Sequence, residues 1–262
     1  MSRVDLGAVT LNTKLDGAEG APFIVLSNSL GADLSMWDAQ IETLTRKYRV
    51  LRYDTRGHGG SSIPNGPYTF EQLVADVVGL MDHYGIETAD WLGLSMGAMT
   101  GAGLAITHGE RFGRMVLADG RMDAPPPFRA MWDQRIAAVE AGGTEAIADG
   151  TLGTWLTEEF RDAHPQETAR VRAMVAATDA SGYIACCRAL QGLDYFRSLG
   201  EIDTPVLYVG GSEDKGASPE TMRAMADATP GARYIEIPGA AHVANINAPD
   251  AFNRILAEFL GL

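Results

Sequence analysis

The stretch WLGLSMGAMTGAGLAITHG, Trp91 to Gly109, runs 19 positions without an Asp, Glu, Lys or Arg side chain. A lipid-spanning helix of that length is continuously apolar. This stretch instead holds five glycines together with Ser95, Thr100, Thr107 and His108, a poor lipid-facing surface. It reads as the buried centre of a globular fold. The run Asp90–Leu94 has the length and apolarity of a buried strand, and Met96–His108 reads as a helix. At their junction stands Gly93-Leu94-Ser95-Met96-Gly97, a G-x-S-x-G pentapeptide. Between a strand and a helix this is the pattern of a nucleophile elbow, a sharp turn that holds a serine hydroxyl clear of the sheet. Only small residues fit two positions before and after that serine. Ala98, Gly101 and Ala102 then let the helix lie close to the strands.

Outward from the elbow, short apolar runs alternate with amphipathic ones. Strands are expected at Phe23–Ser27, Tyr48–Asp54, Asp90–Leu94, Arg114–Asp119, Pro205–Gly210 and Ala232–Ile237, with Leu6–Leu11 as an N-terminal edge strand. Several are apolar on both faces, as buried parallel strands require. Thr69 and Gln72 form a capping box ahead of Phe70, Leu73, Val74, Val77, Val78, Met81 and Tyr84 at helical spacing. A last helix starts at Pro249, with Phe252, Ile255, Leu256 and Phe259 on its inner face. The fold class is therefore α/β: a mostly parallel twisted sheet with helices on both faces. The middle of the chain departs from the alternation. From Pro125-Pro126-Pro127 to about Leu199 there is no strand pattern, and helices are expected at Trp132–Ala141, Ala146–Phe160, Glu167–Ala177 and Gly182–Leu190. We read 125–199 as an inserted helical cap over the carboxyl edge of the sheet, where open α/β sheets bind ligands, and 1–124 with 200–262 as the core.

Composition narrows the function. The 262 residues carry 34 acidic against 21 basic side chains, a net charge of −13, and 46% are hydrophobic. Such a balance disfavours nucleic-acid and anionic-membrane partners, both of which call for clustered Lys and Arg. An anionic small substrate would need local cations to overcome the global field. Cys186 and Cys187 are adjacent, where a disulfide closes only with strain, and free thiols fit a reducing compartment. Met1-Ser2-Arg3-Val4-Asp5 lacks a basic-then-apolar signal pattern. A cytoplasmic protein is expected.

A serine nucleophile needs a base held by a third group. Of the histidines, His83 and His108 fall on helices and His164 in a polar segment before Pro165. His242, in Gly239-Ala240-Ala241-His242 after the strand Ala232–Ile237, sits at the same sheet edge as Ser95 and is the expected base; His58, also after a strand, is its rival. For the acid, Asp214 follows the strand Pro205–Gly210 and falls between Ser and His in chain order. Glu213, Asp119 and Asp123 are alternatives. Donors for a tetrahedral oxyanion are expected from the N–H of Met96 and from the loop Asn28-Ser29-Leu30-Gly31, with Leu30 as the donor and Gly31 turning the chain back. Dinucleotide, P-loop and metal-ligand spacings are missing: Gly101-Ala102-Gly103 has no third glycine in register, and there is no G-x-x-x-x-G-K-[ST], H-E-x-x-H or Cys–His pattern. A cofactor-free, metal-free mechanism is the simplest reading. Asp54-Thr55-Arg56-Gly57-His58-Gly59 reads as a structural turn.

Taken together, the chain resembles the α/β-hydrolase superfamily from about Phe23 onward, and within it the 3-oxoadipate enol-lactonase group. The likeness is carried by Leu26-Ser27-Asn28-Ser29-Leu30-Gly31, Met36-Trp37-Asp38, Tyr53-Asp54-Thr55-Arg56-Gly57-His58-Gly59, the elbow, and Thr178-Asp179-Ala180-Ser181-Gly182-Tyr183. It implies a serine hydrolase that opens a small lactone or ester through Ser95, Asp214 and His242. Carboxylesterase, carbon–carbon bond hydrolase, cofactor-free perhydrolase and lactone-binding receptor are the alternatives that the same fold offers. Trp132 and Arg135 match an aromatic and a basic position of the lactonase group that would face the substrate; Arg121 and Arg188 are further candidates for holding a substrate carboxylate.

Overall fold

The computed structural model describes all residues, 1–262. In chain order it comprises β1 (Ser2–Asp5), β2 (Thr10–Asp16), β3 (Phe23–Ser27), α1 (Asp38–Leu44), β4 (Arg49–Tyr53), α2 (Phe70–His83), β5 (Ala89–Leu94), α3 (Met96–His108) and β6 (Phe112–Ala118). Five helices follow without a strand: α4 (Pro126–Gly142), α5 (Glu145–Trp155), α6 (Glu158–Ala163), α7 (Pro165–Ala176) and α8 (Ala180–Gln191). The chain closes with β7 (Val206–Gly211), α9 (Pro219–Ala228), β8 (Arg233–Ile237), α10 (Ala244–Asn247) and α11 (Pro249–Leu260). No helix is long and apolar enough to cross a membrane.

The strands form one sheet in the order β1-β2-β4-β3-β5-β6-β7-β8, antiparallel at β1/β2 and β2/β4 and parallel elsewhere. Period-two alternation divides its side chains between two cores. Val25, Leu51, Trp91, Met115, Leu117 and Tyr208 pack under α2, α3 and α9. Ile24, Leu26, Val50, Leu92, Leu94, Val116, Leu207 and Val209 pack against Trp37, Leu44, Phe252 and Leu256 from the α1 and α11 side. Apolar residues of the helical segment (Ile136, Val139, Tyr183, Cys186 and Cys187) join Leu30, Met96 and Met99 in a further cluster, so α4 and α8 rest on the carboxyl ends of β3 and β5.

Two expectations need correction. The edge strand expected at Leu6–Leu11 is instead largely the turn of a hairpin. Leu6 N–H donates to the Val9 carbonyl, Gly7 takes φ +80°, and the paired strands are β1 and β2 on either side. The single helix expected at Ala146–Phe160 is two, because Leu156 is extended (φ −125°, ψ 138°) and Thr157 caps α6 through its hydroxyl and Phe160 N–H. The prolines open α4 from within, since Pro126 and Pro127 occupy its first turn, where no N–H is required.

Candidate active site

Strand β5 ends at Leu94 and α3 begins at Met96, leaving Ser95 alone to turn the chain. It does so at φ 55°, ψ −112°, a conformation costly for a residue with a Cβ. The turn persists because its neighbours are locked. Ser95 N–H donates to the Ala118 carbonyl at 2.8 Å. A methyl group on Gly97 would overlap the Ser27 carbonyl oxygen, and one on Gly93 would overlap the backbone of Gly97. The side chain of Ser95 is thereby held at the sheet edge.

Ser95 Oγ lies 2.9 Å from His242 Nε2, and His242 Nδ1 lies 2.8 Å from Asp214 Oδ2. The imidazole is 13% exposed and the carboxylate wholly buried. Asp214 Oδ1 accepts from Gly216 N–H at 2.7 Å and Ala217 N–H at 3.1 Å, which aims Oδ2 at the ring. Burial disfavours the Asp214 anion, yet the His242 charge and hydrogen bond, with the two N–H donors, hold its carboxyl below the usual range. Burial likewise disfavours the His242 cation, but Asp214, aided by Asp119, raises His242 above its ordinary 6.5. The loop of His242 is braced from the helical segment, since Val243 N–H donates to the Trp155 carbonyl at 3.2 Å.

The alternatives are placed elsewhere. Glu213 is exposed. Asp119 is fully buried at φ 46° and accepts from Gly211 N–H at 2.9 Å and Ala244 N–H at 3.1 Å. It ties the segment before Asp214 to the segment after His242. Asp123 pairs with Arg121 at 2.8 Å. His58 is 1% exposed and meets Gly31 and Arg56, not Ser95.

Where the sequence places the expected oxyanion donors, Ser29 and Leu30 line the same cavity as Ser95. Leu30 N–H makes no hydrogen bond within the protein, and Met96 opens α3, where helical N–H groups have no partner in the ladder. Gly31, at φ +82°, turns the loop back, and its own N–H is committed to His58.

The cavity over Ser95 measures about 350 Å³, at the small end for ligand pockets. Trp132 and Arg135 of α4 both line it, as do Arg121, Lys215, Thr151 and Tyr183. Arg135 Nε donates to Tyr183 Oη at 2.6 Å and its Nη2 to Thr151 Oγ1, and no carboxylate pairs with it. The indole N–H of Trp132 is buried without a partner. Arg121 lies 4.4 Å over the Phe128 ring while bound to Asp123. Arg188 faces away, bound to Asp133 and Gln191. Lys215 and Thr151 escape a reading of the sequence, and Tyr183 is visible there only as the end of the Thr178–Tyr183 motif: Lys215 is one more surface lysine, and the other two enter the wall only through the packing of α5 and α8. No three His, Cys, Asp or Glu side chains cluster to hold a metal ion.

A sheet of this order with a serine at the β5–α3 turn defines the class. Residues 22–249 match the family model described as alpha/beta hydrolase fold, and the chain belongs to that family. Among its relatives it is similar to 3-oxoadipate enol-lactonase 2 of Acinetobacter baylyi, 37% identical over 251 residues, covering 94% of this chain and 91% of the relative. The crystal structure of the enol-lactonase from Burkholderia xenovorans matches with a TM-score of 0.96 at 40% identity, over 100% of both chains. A thermophilic esterase from Thermogutta terrifontis, described as malate bound, matches with a TM-score of 0.93 at 26% identity, over 100% of this chain and 98% of its own.

Proposed function

We propose that this chain is a serine hydrolase that opens a small lactone bearing a carboxylate, of the 3-oxoadipate enol-lactone type. The observation that carries the reading is the Ser95–His242–Asp214 relay facing a cavity of about 350 Å³ whose wall holds an Arg135 without an anionic partner. In this reading Ser95 Oγ attacks the lactone carbonyl while His242 Nε2 takes its proton, and Asp214 steadies the imidazolium. Leu30 and Met96 N–H groups hold the oxyanion. The ring C–O bond then breaks, and His242 returns the proton to the leaving oxygen, which stays tethered as part of the acyl-enzyme. Water, deprotonated by His242, attacks that ester, and Ser95 leaves with the proton. Ring opening of an enol lactone releases an enol that tautomerises to a ketone. Arg135, flanked by the Trp132 indole N–H, takes the spectator carboxylate. Residues 125–199 act as the cap that closes this wall over the sheet. Likeness to two enol-lactonases over nearly the whole chain supports the substrate class.

The test compares kcat/KM for a carboxylated enol lactone, p-nitrophenyl acetate and a vinylogous ring-cleavage diketone, each with wild type and Ser95→Ala. The enol lactone should be preferred and the variant inactive with an unchanged circular-dichroism spectrum. Activity in Ser95→Ala, or preference for the diketone or neutral ester, rejects the reading.

A further inference from the structure

The turn Asp54–Gly59 is tied to the loop that follows β3 at two points. Asp54 Oδ1 accepts from Leu34 N–H at 2.7 Å, and His58 Nε2 accepts from Gly31 N–H at 2.9 Å. The second bond fixes the tautomer. A nitrogen that accepts carries no proton, so the ring proton is on Nδ1, which faces the Arg56 carbonyl at 3.2 Å. That carbonyl belongs to a residue anchored in turn, because the Arg56 guanidinium grips Asp76 of α2 through two bonds of 2.7 and 2.6 Å, both side chains buried. Opposite, Gly57 lies so close to Gly182 of α8 that a Cβ on it would stand 2.7 Å from the Gly182 Cα. The two residues before His58 are therefore held against α2 and α8, and the one free acceptor of His58 meets the peptide next to Leu30.

From this chain of contacts we infer that His58 is a positioning residue for the oxyanion site: by holding Gly31 N–H it aims the Leu30 N–H into the cavity over Ser95. The inference rests on the proposed role of Ser95. Without the bond, Gly31 N–H is a buried donor in need of another acceptor, and the loop can satisfy it only by rotating the Leu30–Gly31 region. The loss falls on the oxyanion, which forms after binding, and so on kcat rather than KM. Burial keeps the ring neutral by pushing His58 down to about 4, so the acceptor persists at neutral pH.

Two substitutions separate positioning from packing. In His58→Asn the side-chain amide reaches the Nδ1 position and keeps a donor for Arg56 but falls short of Gly31; in His58→Gln an acceptor reaches the Nε2 position. With p-nitrophenyl acetate, His58→Asn should lose at least tenfold in kcat with KM within threefold. Its affinity for n-butylboronic acid, which forms a tetrahedral adduct on the serine, should fall by a similar factor. His58→Gln should stay within threefold of wild type on all counts. The inference is overturned if folded His58→Asn keeps kcat within twofold, if kcat falls without weaker boronate affinity, or if Asn and Gln fail alike. Should His58→Asn not fold, the Gln variant decides: retention supports positioning, and a tenfold loss with a native spectrum overturns it. Ser95→Ala in parallel distinguishes the two levels, since residual turnover there rejects the nucleophile itself, whereas an inert Ser95→Ala beside an indifferent His58 rejects only the positioning.

Discussion

Arg135→Met offers the sharpest test of the substrate class. The substitution keeps an unbranched stem of similar length against Trp132 and Tyr183 while removing the charge. A guanidinium has five N–H donors, and two are spent on Tyr183 and Thr151, which leaves three for a ligand. No protein carboxylate competes for them. A charge-assisted hydrogen bond contributes about 1.5–3 kcal/mol, so a single such contact corresponds to roughly a 10- to 150-fold effect, and a bidentate one lies at the upper end. The assay follows enol-lactone absorbance for the carboxylated substrate and for its methyl ester. Arg135→Met should lower kcat/KM for the acid by about 10- to 150-fold and leave the ester within threefold. The reasoning fails if both substrates lose equally, which would mean that Arg135 only supports the pocket through Tyr183 and Thr151. It fails also if neither changes.

Four further outcomes follow from the same contacts. In the proposed mechanism the acid limb of kcat/KM reports protonation of His242; because Asp214 raises His242 above 6.5 against the opposing effect of burial, activity should rise with pH through a midpoint above that value, and Asp214→Asn should lower both the midpoint and the rate. A wild-type midpoint below 6.5 contradicts this. Asp119→Asn keeps one acceptor oxygen for two buried N–H groups, so unfolding in urea should show a loss of about 1–3 kcal/mol and kcat should fall at least tenfold; unchanged values for both refute the bridging role. Gly97→Ala drives a methyl into the Ser27 carbonyl and should cost about 2–3 kcal/mol of stability by the same measurement, with a native-like melting curve as the refuting result. His58, held down by burial against the weaker pull of the Arg56 carbonyl and Asp33, stabilises the fold above its unfolded value of 6.5, and that contribution is lost as pH falls toward 4. The stability difference between pH 7 and pH 5 should therefore shrink by on the order of 2 kcal/mol in His58→Gln.

What the sequence revealed and what it hid divide along a physical line. The elbow was legible because its requirements are local: a serine flanked by Gly93 and Gly97, between an apolar strand and a helix with small residues on its inner side. Asp214 and His242 were legible through topology, since each follows a parallel strand and so reaches one sheet edge. The hairpin β1–β2 was misplaced because Leu6–Leu11 alternates like a strand while its partners are polar and half-exposed. The break at Leu156 was hidden because no glycine or proline marks it; a Thr157 cap suffices. Least legible was the link between His58 and Gly31, which joins residues 27 apart through one ring nitrogen. A histidine after a strand is as good a candidate for a base as for a brace until its neighbours are known: His242 meets Ser95 and Asp214, and His58 meets Gly31 and Arg56.

Asp119 has a bearing on how this scaffold tolerates redesign. One carboxylate receives the backbone of both connections that carry Asp214 and His242, so those connections share an anchor at Asp119 beside the bonds that join them directly, Glu213 N–H to the Ala240 carbonyl and Gly239 N–H to Ser212 Oγ, both at 2.9 Å. A change of length between Gly211 and Asp214, or between His242 and Ala244, is transmitted across the anchor to the other connection. The two loops are in effect one module for grafting: exchanged together with the β6 terminus they carry their registration with them, and exchanged singly they leave it behind.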